Sequence, residues 1–221
     1  CPGSGKTTVL RFRAKHILEQ SPEHRVAAVT FTVESAAELA SRIKATAPGA
    51  ANRVAAGTFH RLCLHQLRQA GRKITLLTEP QSRFLINRAR KELGEFVGQE
   101  DAERFIGTVK ARANPALATA SAELVAIYER YEELRRDRHA LDFADLILEA
   151  LRGMRSGTIA PLRATHLLVD EFQDTDDAQL HWTLHHAEQG VAVTVVGDDD
   201  QCIFGFRSAL GYEAMQRFRA A

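Results

Sequence analysis

Continuous apolar runs alternate with amphipathic segments over the first 72 residues of the chain. Residues 25–31 (RVAAVTF) and 53–57 (RVAAG) are runs of the kind that predicts strands buried on both faces of a parallel sheet. Apolar residues recur at helical spacing over residues 7–18, 35–47 and 59–70. In the first of these helices we predict one buried stripe, formed by Val9, Leu10, Ala14, Ile17 and Leu18. The alternation predicts an α/β domain with a parallel sheet.

Residues 73–139 lack a convincing strand and have helical periodicity instead. Thr78 stands three positions before Gln81, which predicts a capping box at the start of a helix. That helix is expected to bury Phe84, Leu85 and Ala89. Further helices are predicted at 101–113 and from Ser121, the latter with a stripe of Leu124, Ile127, Tyr131 and Leu134. We therefore predict an all-helical insertion subdomain at 73–139, between two parts of the α/β domain at 1–72 and 140–221.

Two further strands are predicted to end in polar residues. A helix beginning near Asp142 returns the chain to the α/β domain, and apolar strands follow at 165–169 and 191–196. The first ends in Asp170-Glu171, and the second is followed by residues 197–200 (GDDD). Because loops at the carboxyl ends of parallel strands line the crevice beside helix N-termini, this pattern predicts a ligand site there.

Charge is segregated along the chain, although the formal net charge is only +1. Residues 61–91 carry eight Lys or Arg against one acid, whereas residues 170–200 carry acids and no Lys or Arg. A basic region suits a polyanion and an acidic one suits magnesium, but solvated helix faces explain the basic residues equally well. The three cysteines lie far apart, which indicates neither a disulfide framework nor a metal site. With no apolar run of bilayer length, we expect an intracellular protein without a membrane partner.

The first eight residues, CPGSGKTT, contain most of a phosphate-binding loop. Glycines allow backbone N–H groups to close around phosphate oxygens, Lys6 would reach the β and γ phosphates, and the Thr7 hydroxyl would bind Mg²⁺. The nucleotide-binding candidates are Cys1, Pro2, Gly3, Ser4, Gly5, Lys6, Thr7 and Thr8. The first position of the motif would precede Cys1, so we expect a fragment of a longer protein whose first strand is missing. A chance match is the alternative.

Adjacent carboxylates after an apolar strand complete an NTPase site when a phosphate loop precedes them. Asp170 would hold Mg²⁺, and Glu171 would orient and deprotonate the attacking water. Without the loop, the pair would be interpreted as a solvated turn.

The motifs together resemble those of the UvrD/Rep type of superfamily 1 DNA helicases. Residues 170–175 (DEFQDT) resemble the second helicase motif, and residues 195–207 (VVGDDDQCIFGFR) resemble the third. Upstream matches, in chain order after the phosphate loop, are VTFT at 29–32 with AAEL at 36–39 (motif Ia), GTFH at 57–60 (Ib), and LDFAD at 141–145. Six signatures thus occur in the order of the family.

The resemblance implies a RecA-like P-loop fold that uses ATP and Mg²⁺ and moves 3′ to 5′ along single-stranded DNA. It implies that Gln201 senses the γ-phosphate, so the catalytic candidates are Lys6, Glu171 and Gln201. Positions that would line the single-strand path are Phe31, Thr32, Thr58, His60, Phe204, Phe206 and Arg207. Core packing competes with DNA contact for Phe31, and capping or packing competes for His60.

The sequence departs from the family pattern in three places. Cys1 replaces the usual small residue, which is expected to leave the loop functional because the loop binds through its backbone. Val33 and Glu34 stand where the family prefers an asparagine and a basic residue, which weakens the case for a phosphate contact there. Phe204 and Phe206 replace a tyrosine and a tryptophan, so they can stack on bases but cannot donate a hydrogen bond.

The resemblance also implies partners. These are single-stranded DNA, single-strand/duplex junctions near the helical insertion, and a second motor domain of the same protein that closes the ATP cleft. A cytoplasmic, nucleoid-associated protein is expected. Without the second motor domain, we expect the fragment to bind nucleotide weakly and to hydrolyse it negligibly.

Three other functions stay open: the helicase subunit of a helicase-nuclease, a P-loop ATPase of another class, and a non-catalytic scaffold. An LSGGQ-like transporter signature, the N-K-x-D motif of GTPases and the D-E-A-D motif of RNA helicases do not occur in the sequence. The scaffold is disfavoured by the intact residues Lys6, Thr7, Asp170, Glu171 and Gln201.

Overall fold

The computed structural model describes residues 5–94, 96–114, 117, 120–198 and 209–221. Its helices, in chain order, are α1 (Lys6–Gln20), α2 (Val33–Thr46), α3 (Phe59–Gln69), α4 (Glu79–Glu92), α5 (Gln99–Lys110), α6 (Ala122–Arg136), α7 (Phe143–Arg155), α8 (Asp177–Glu188) and α9 (Tyr212–Ala220). Its strands are β1 (Val26–Thr30), β2 (Val54–Thr58), β3 (Thr75–Leu76), β4 (Ala140–Leu141), β5 (His166–Val169) and β6 (Ala192–Val195). Short 3-10 helices cover Pro48–Arg53 and Phe172–Asp174. In these described ranges, no helix is both long and apolar enough to cross a membrane.

The main sheet is parallel, as the continuous apolar runs predict. Within the described part of the chain its strand order is β2-β1-β5-β6, and each neighbouring pair is parallel. In this register Val26 lies beside Val54 on one side and His166 on the other. All of β1 is buried, because it lies inside the sheet and helices cover both faces. The predicted α/β class is confirmed.

Alternate residues of β1 contribute to different cores, since successive side chains of a strand point to opposite faces. Ala27 and Val29 belong to the core that packs α3, α7 and α8 against one face of the sheet. Val26 and Ala28 belong to the core that packs α1 and α2 against the other. The sheet therefore lies between two helical layers, and its carboxyl edge is open for ligands.

Two predictions of burial are wrong. Val9 is 59% exposed and Phe84 is 64% exposed. The buried positions of α1 are Leu10, Ala14, Ile17 and Leu18, and Val9 lies about 100° around the helix axis from Leu10. On α4 the buried positions are Leu85, Ile86 and Ala89, so Phe84 points away from them in the same way.

A short strand pair joins the two ends of the segment predicted to be all-helical. Strand β3 pairs in parallel with β4, and Leu77 N–H donates to the Leu141 carbonyl at 2.8 Å. The prediction of no strand over residues 73–139 is therefore wrong, because two-residue strands are too short to have a readable period. Between these strands α4, α5 and α6 share an apolar core of their own, which includes Ile106 and Tyr131. The domain boundaries at residues 72 and 139 remain a prediction.

A buried group of charged side chains, here called the ionic cluster, lies where α5, α6 and α7 meet. The Lys110 ammonium contacts the carboxylates of Glu132 at 2.6 Å, Asp142 at 2.6 Å and Asp145 at 2.9 Å. Arg135 donates to Asp145 at 3.0 Å. With three carboxylates and two cations, one acid lacks a matching charge, and burial raises the pKa of Asp145 to about 6.

Candidate nucleotide and nucleic-acid site

The described part of the phosphate loop turns directly into α1. Gly5 has φ +78° and caps the helix, a left-handed conformation that favours glycine. Its carbonyl accepts a hydrogen bond from Val9 N–H at 2.9 Å. Lys6, Thr7 and Thr8 follow in the first turn, where unpaired N–H groups and the helix dipole favour an anion.

Thr7 and Asp170 meet although they are 163 positions apart. The Thr7 hydroxyl donates to Asp170 Oδ2 at 3.1 Å. Asp170 is only 5% exposed, and its N–H donates to the Val29 carbonyl at 2.9 Å at the end of β5. Burial, and then the neighbouring Glu171 carboxylate, raises the pKa of Asp170. A hydroxyl and a carboxylate, with negative charge that is not fully neutralised, form an oxygen donor set suited to Mg²⁺.

Lys6 lies between carboxylates that follow two different strands. Its ammonium is 3.7 Å from Glu171 Oε2, after β5, and 3.3 Å from Asp198 Oδ2, after β6. The lysine side chain is only 15% exposed. The structure therefore brings Lys6, Thr7, Asp170 and Glu171 together at the carboxyl edge of the sheet.

Glu171 has a backbone conformation that is unusual for its residue type. Its φ of 51° and ψ of 44° are left-handed, and it is not a glycine. A side chain in this region costs about 1–2 kcal/mol. The turn separates β5 from the 3-10 helix and directs the Glu171 carboxylate toward Lys6.

Gln173 and Asp198 are site residues that the sequence reasoning did not assign. Gln173 is 1% exposed; its Nε2 donates to Glu171 Oε2 at 2.9 Å, and its Oε1 accepts from Asp198 N–H at 2.9 Å. The amide thus links the segments that follow β5 and β6. The available signal in the sequence was a polar residue next to Phe172 in the turn that follows an apolar strand.

A cavity of about 270 Å³ extends from the Thr7–Asp170 pair toward β1 and α2. Asp174 lies on its wall, and burial, followed by the Glu171 charge, raises the pKa of Asp174 to about 6. The other lining residues are Thr7, Thr30, Phe31, Thr32, Ser35, Glu38, Asp170, Glu171 and Gln173. Two of the predicted DNA-contacting residues, Phe31 and Thr32, therefore share a cavity with the predicted magnesium ligands.

The predicted DNA-contacting threonines both cap helices. Thr32 Oγ1 accepts from Ser35 N–H at 3.1 Å at the start of α2. Thr58 Oγ1 accepts from Arg61 N–H at 3.3 Å at the start of α3. Strand pairing sets Thr58 beside Thr30, so both caps lie at the same edge of the sheet as Lys6.

The two predicted DNA-contacting rings in the described part of the chain are partly buried. Phe31 contacts the edge of Phe59 at a centroid distance of 5.7 Å, and Phe59 is a core residue with 1% exposure. His60 contacts Phe143 at 5.8 Å with the ring planes 69° apart. Burial, against an opposite effect of Asp142, lowers the pKa of His60. Eight predicted site residues lie outside the described residues: Cys1, Pro2, Gly3, Ser4, Gln201, Phe204, Phe206 and Arg207.

Comparison with known proteins identifies the family. A family model described as the UvrD/REP helicase N-terminal domain matches residues 1–219. The chain belongs to this family. The match confirms the family predicted from the ordered motifs and, with it, the RecA-like P-loop fold. It favours the UvrD/REP family over a P-loop ATPase of another class.

Named relatives are helicases. The ATP-dependent DNA helicase PcrA of Leuconostoc citreum is 32% identical over 231 residues, which cover 94% of this chain and 31% of the relative. PcrA of Staphylococcus aureus is 28% identical over 94% of this chain and 31% of the relative. DNA helicase II of Salmonella typhimurium is 32% identical over 98% of this chain and 33% of the relative. The chain therefore spans about a third of the length of the curated relatives that it matches.

Proposed function

We propose that this chain is the ATP-binding motor region of a longer ATP-dependent DNA helicase that moves 3′ to 5′ along single-stranded DNA. The observation that carries the proposal is the meeting of Lys6, Thr7, Asp170 and Glu171 beside a cavity that Phe31 and Thr32 also line. The names of the relatives, ATP-dependent DNA helicase and DNA helicase II, support it.

Each residue has a chemical role in this proposal. Lys6 and the N–H groups of Gly5 to Thr8 bind the phosphates of ATP, and Thr7 and Asp170 hold Mg²⁺. The ion, when bound, neutralises charge on the phosphates. Glu171 Oε2 accepts the proton of the attacking water. Hydrogen bonding from Gln173 and the nearby Lys6 ammonium keep that carboxylate oriented.

Nucleotide state and DNA contact are coupled through two short routes. Gln173 connects the general base to Asp198, three positions before the proposed γ-phosphate sensor Gln201. On the other side of the cavity, Phe31 and Thr32 follow β1 and begin the proposed DNA path. The other residues proposed to lie on the same path are Thr58, His60, Phe204, Phe206 and Arg207. The proposal also includes a second motor domain of the same protein, binding to single-strand/duplex junctions, and association with the nucleoid.

The test compares DNA-dependent ATP hydrolysis by the full-length protein that carries this chain with hydrolysis by its Glu171→Gln variant. Single-stranded DNA should stimulate the wild type, and Glu171→Gln should lower kcat by about 10²–10⁴-fold while ATP binding persists, because only the base is lost. Glu38→Gln is the control, because Glu38 lines the same cavity but pairs with Arg42 on the surface. Hydrolysis that ignores DNA, or an active Glu171→Gln enzyme, would contradict the proposal.

A further inference from the structure

A second cavity lies at the amino edge of the main sheet, opposite the proposed nucleotide site. Its volume is about 140 Å³. It is lined by the residues that begin β1 and β2, by the segment before β5, and by one side of α3. The five residues of β1, at about 3.3 Å each, separate it from the carboxyl edge of the sheet. The proposed function therefore makes no use of this cavity.

Among the residues that the structure describes, every charged side chain that lines this cavity is basic. Arg25 and Arg163 are exposed, and neither forms an ion pair with a described acid. The guanidinium of Arg53 donates to three backbone carbonyls at 2.7, 2.8 and 3.0 Å. Carbonyls satisfy its N–H groups but leave its positive charge unneutralised. Like charges held close together repel each other, and a bound anion would remove that repulsion.

Apolar and amide groups lie beside the basic ones. Val26 and Val54 are buried and Leu162 is partly buried, so these three residues form an apolar floor. Asn52 and Gln69 add side-chain amides, which both donate and accept hydrogen bonds. The cavity therefore suits a ligand that combines negative charge with apolar surface.

The walls of the cavity are fixed before any ligand binds. The Thr165 hydroxyl accepts from Arg25 N–H at 2.9 Å and donates to the Arg25 carbonyl at 3.0 Å. On the next strand segment, Leu162 N–H donates to His186 Nε2 at 3.1 Å. His186 is fully buried, with its ring 4.2 Å from that of Trp182. A site held in this way loses little conformational freedom on binding, which favours affinity.

We infer that this cavity is a docking site for an acidic segment of a partner protein. One Asp or Glu side chain enters it, the carboxylate accepts from Arg25 and Arg163, and an apolar neighbour covers Val54 and Leu162. Small-molecule sites are larger, at about 300–1,000 Å³, so the space suits a single side chain. A phosphodiester backbone fits less well, because it has no apolar part to cover the floor. The inference is independent of the proposed function.

The experiment measures, by fluorescence anisotropy, binding of the full-length protein to a short labelled peptide in which Asp-Glu pairs alternate with single leucines. Arg25→Glu and Arg163→Glu should each raise Kd about 10-fold or more, because each replaces an attraction with a repulsion. Arg136→Glu is the matched control, since Arg136 is exposed on α6 and does not line the cavity. It should leave Kd unchanged. A peptide with Asn-Gln in place of Asp-Glu should not bind.

Several outcomes would overturn the docking site. These are a wild-type protein that does not bind the acidic peptide or binds the Asn-Gln peptide equally well, and an unchanged Kd in Arg25→Glu and Arg163→Glu. Equal weakening by Arg136→Glu would also overturn it, because the effect would then be one of overall charge. If both cavity variants weaken binding of single-stranded oligothymidylate as much as binding of the peptide, the surface binds nucleic acid instead. DNA-stimulated ATP hydrolysis should be unchanged in both, so the helicase proposal is tested separately.

Discussion

At the scale of single residues, Glu171 is both the proposed general base and the residue with a left-handed backbone in a tight turn. Its left-handed backbone brings the carboxylate within 3.7 Å of Lys6 and within hydrogen-bonding distance of Gln173. Asp170 and Asp174, whose pKa values are raised, add like charge around it. The proposed base thus occupies a position that folding alone would not favour.

The strain at Glu171 can be measured by comparing two substitutions that both remove the carboxylate. Glycine adopts a positive φ without a Cβ clash, whereas alanine does not. We expect Glu171→Gly to have a free energy of unfolding about 1 kcal/mol higher than Glu171→Ala in urea denaturation. Both should be inactive in hydrolysis.

A control pair at Glu38 should have the opposite order. Glu38 lies inside α2, where glycine costs about 1 kcal/mol relative to alanine. If Glu171→Ala proves as stable as Glu171→Gly, the left-handed turn is not strained and its geometry has another cause.

The proposed site residues could be predicted from the sequence, but the hydrogen bonds and backbone geometry that hold them in place could not. Two short motifs, each confined to one local turn of the chain, contain the residues that the structure brings together: Lys6, Thr7, Asp170 and Glu171. Gln173 escaped assignment because its role depends on two loops meeting in space. The left-handed φ of Glu171 also has no sequence signal, since glutamate seldom adopts it.

At the scale of elements, α7 and α8 begin with similar capping boxes in opposite electrostatic surroundings. Asp142 caps α7 and Asp176 caps α8, each bonded to the third residue of its helix. Burial raises the pKa of Asp176 to about 7. Burial acts on Asp142 too, but the Lys110 ammonium outweighs it and lowers the pKa of Asp142. The two caps should therefore respond to pH with opposite signs.

Replacing Asp176 with asparagine should stabilise the protein above neutral pH. The pKa of Asp176 rises from 3.8 to about 7 on folding, so its contribution to stability is present below pH 3.8 and is lost as the pH rises through 7. Asparagine caps as well as aspartate and does not ionise. We expect Asp176→Asn to exceed wild type by at least about 1 kcal/mol near pH 8, and by less near pH 5, in urea titrations.

Asp142→Asn provides the comparison. A carboxyl with a lowered pKa stabilises the fold above its unfolded pKa, and that contribution is lost as the pH falls through the folded pKa. This variant should therefore be less stable than wild type near neutral pH. Destabilisation by both substitutions at neutral pH would refute the opposite signs.

Long apolar runs made the main strands predictable, whereas short or amphipathic features did not. Strands β1, β5 and β6 were predicted because each is a nearly continuous apolar segment inside a covered sheet. The β3–β4 pair was not predicted because a strand of two residues has no readable period. Val9 and Phe84 were wrongly predicted to be buried because helical periodicity shows which face of a helix is apolar but not whether a residue at the margin of that face is covered.

At the scale of the whole molecule, the ionic cluster joins the core of α4, α5 and α6 to α7, which packs against the main sheet. Lys110 is 3% exposed and contacts three carboxylates from two other segments. Removing one member of a buried ion group leaves uncompensated charge, which is more costly than losing a surface pair.

Lys110→Met should therefore lower the free energy of unfolding by about 3–5 kcal/mol in urea denaturation. Arg83→Ala, which removes an exposed contact to Glu103, should change it by less than about 0.5 kcal/mol. A Lys110→Met variant with wild-type stability would mean that the carboxylates accept protons in place of the ammonium.

The β3–β4 pair has a consequence for how such a protein can diversify. It holds the entry and exit of residues 77–139 side by side, about 5 Å apart across neighbouring strands. A segment attached at two adjoining points behaves as a cassette: it can lengthen, shrink or be exchanged without changing the path of the main sheet. Any exchanged segment would then have to supply charges that match Asp142 and Asp145 in the ionic cluster.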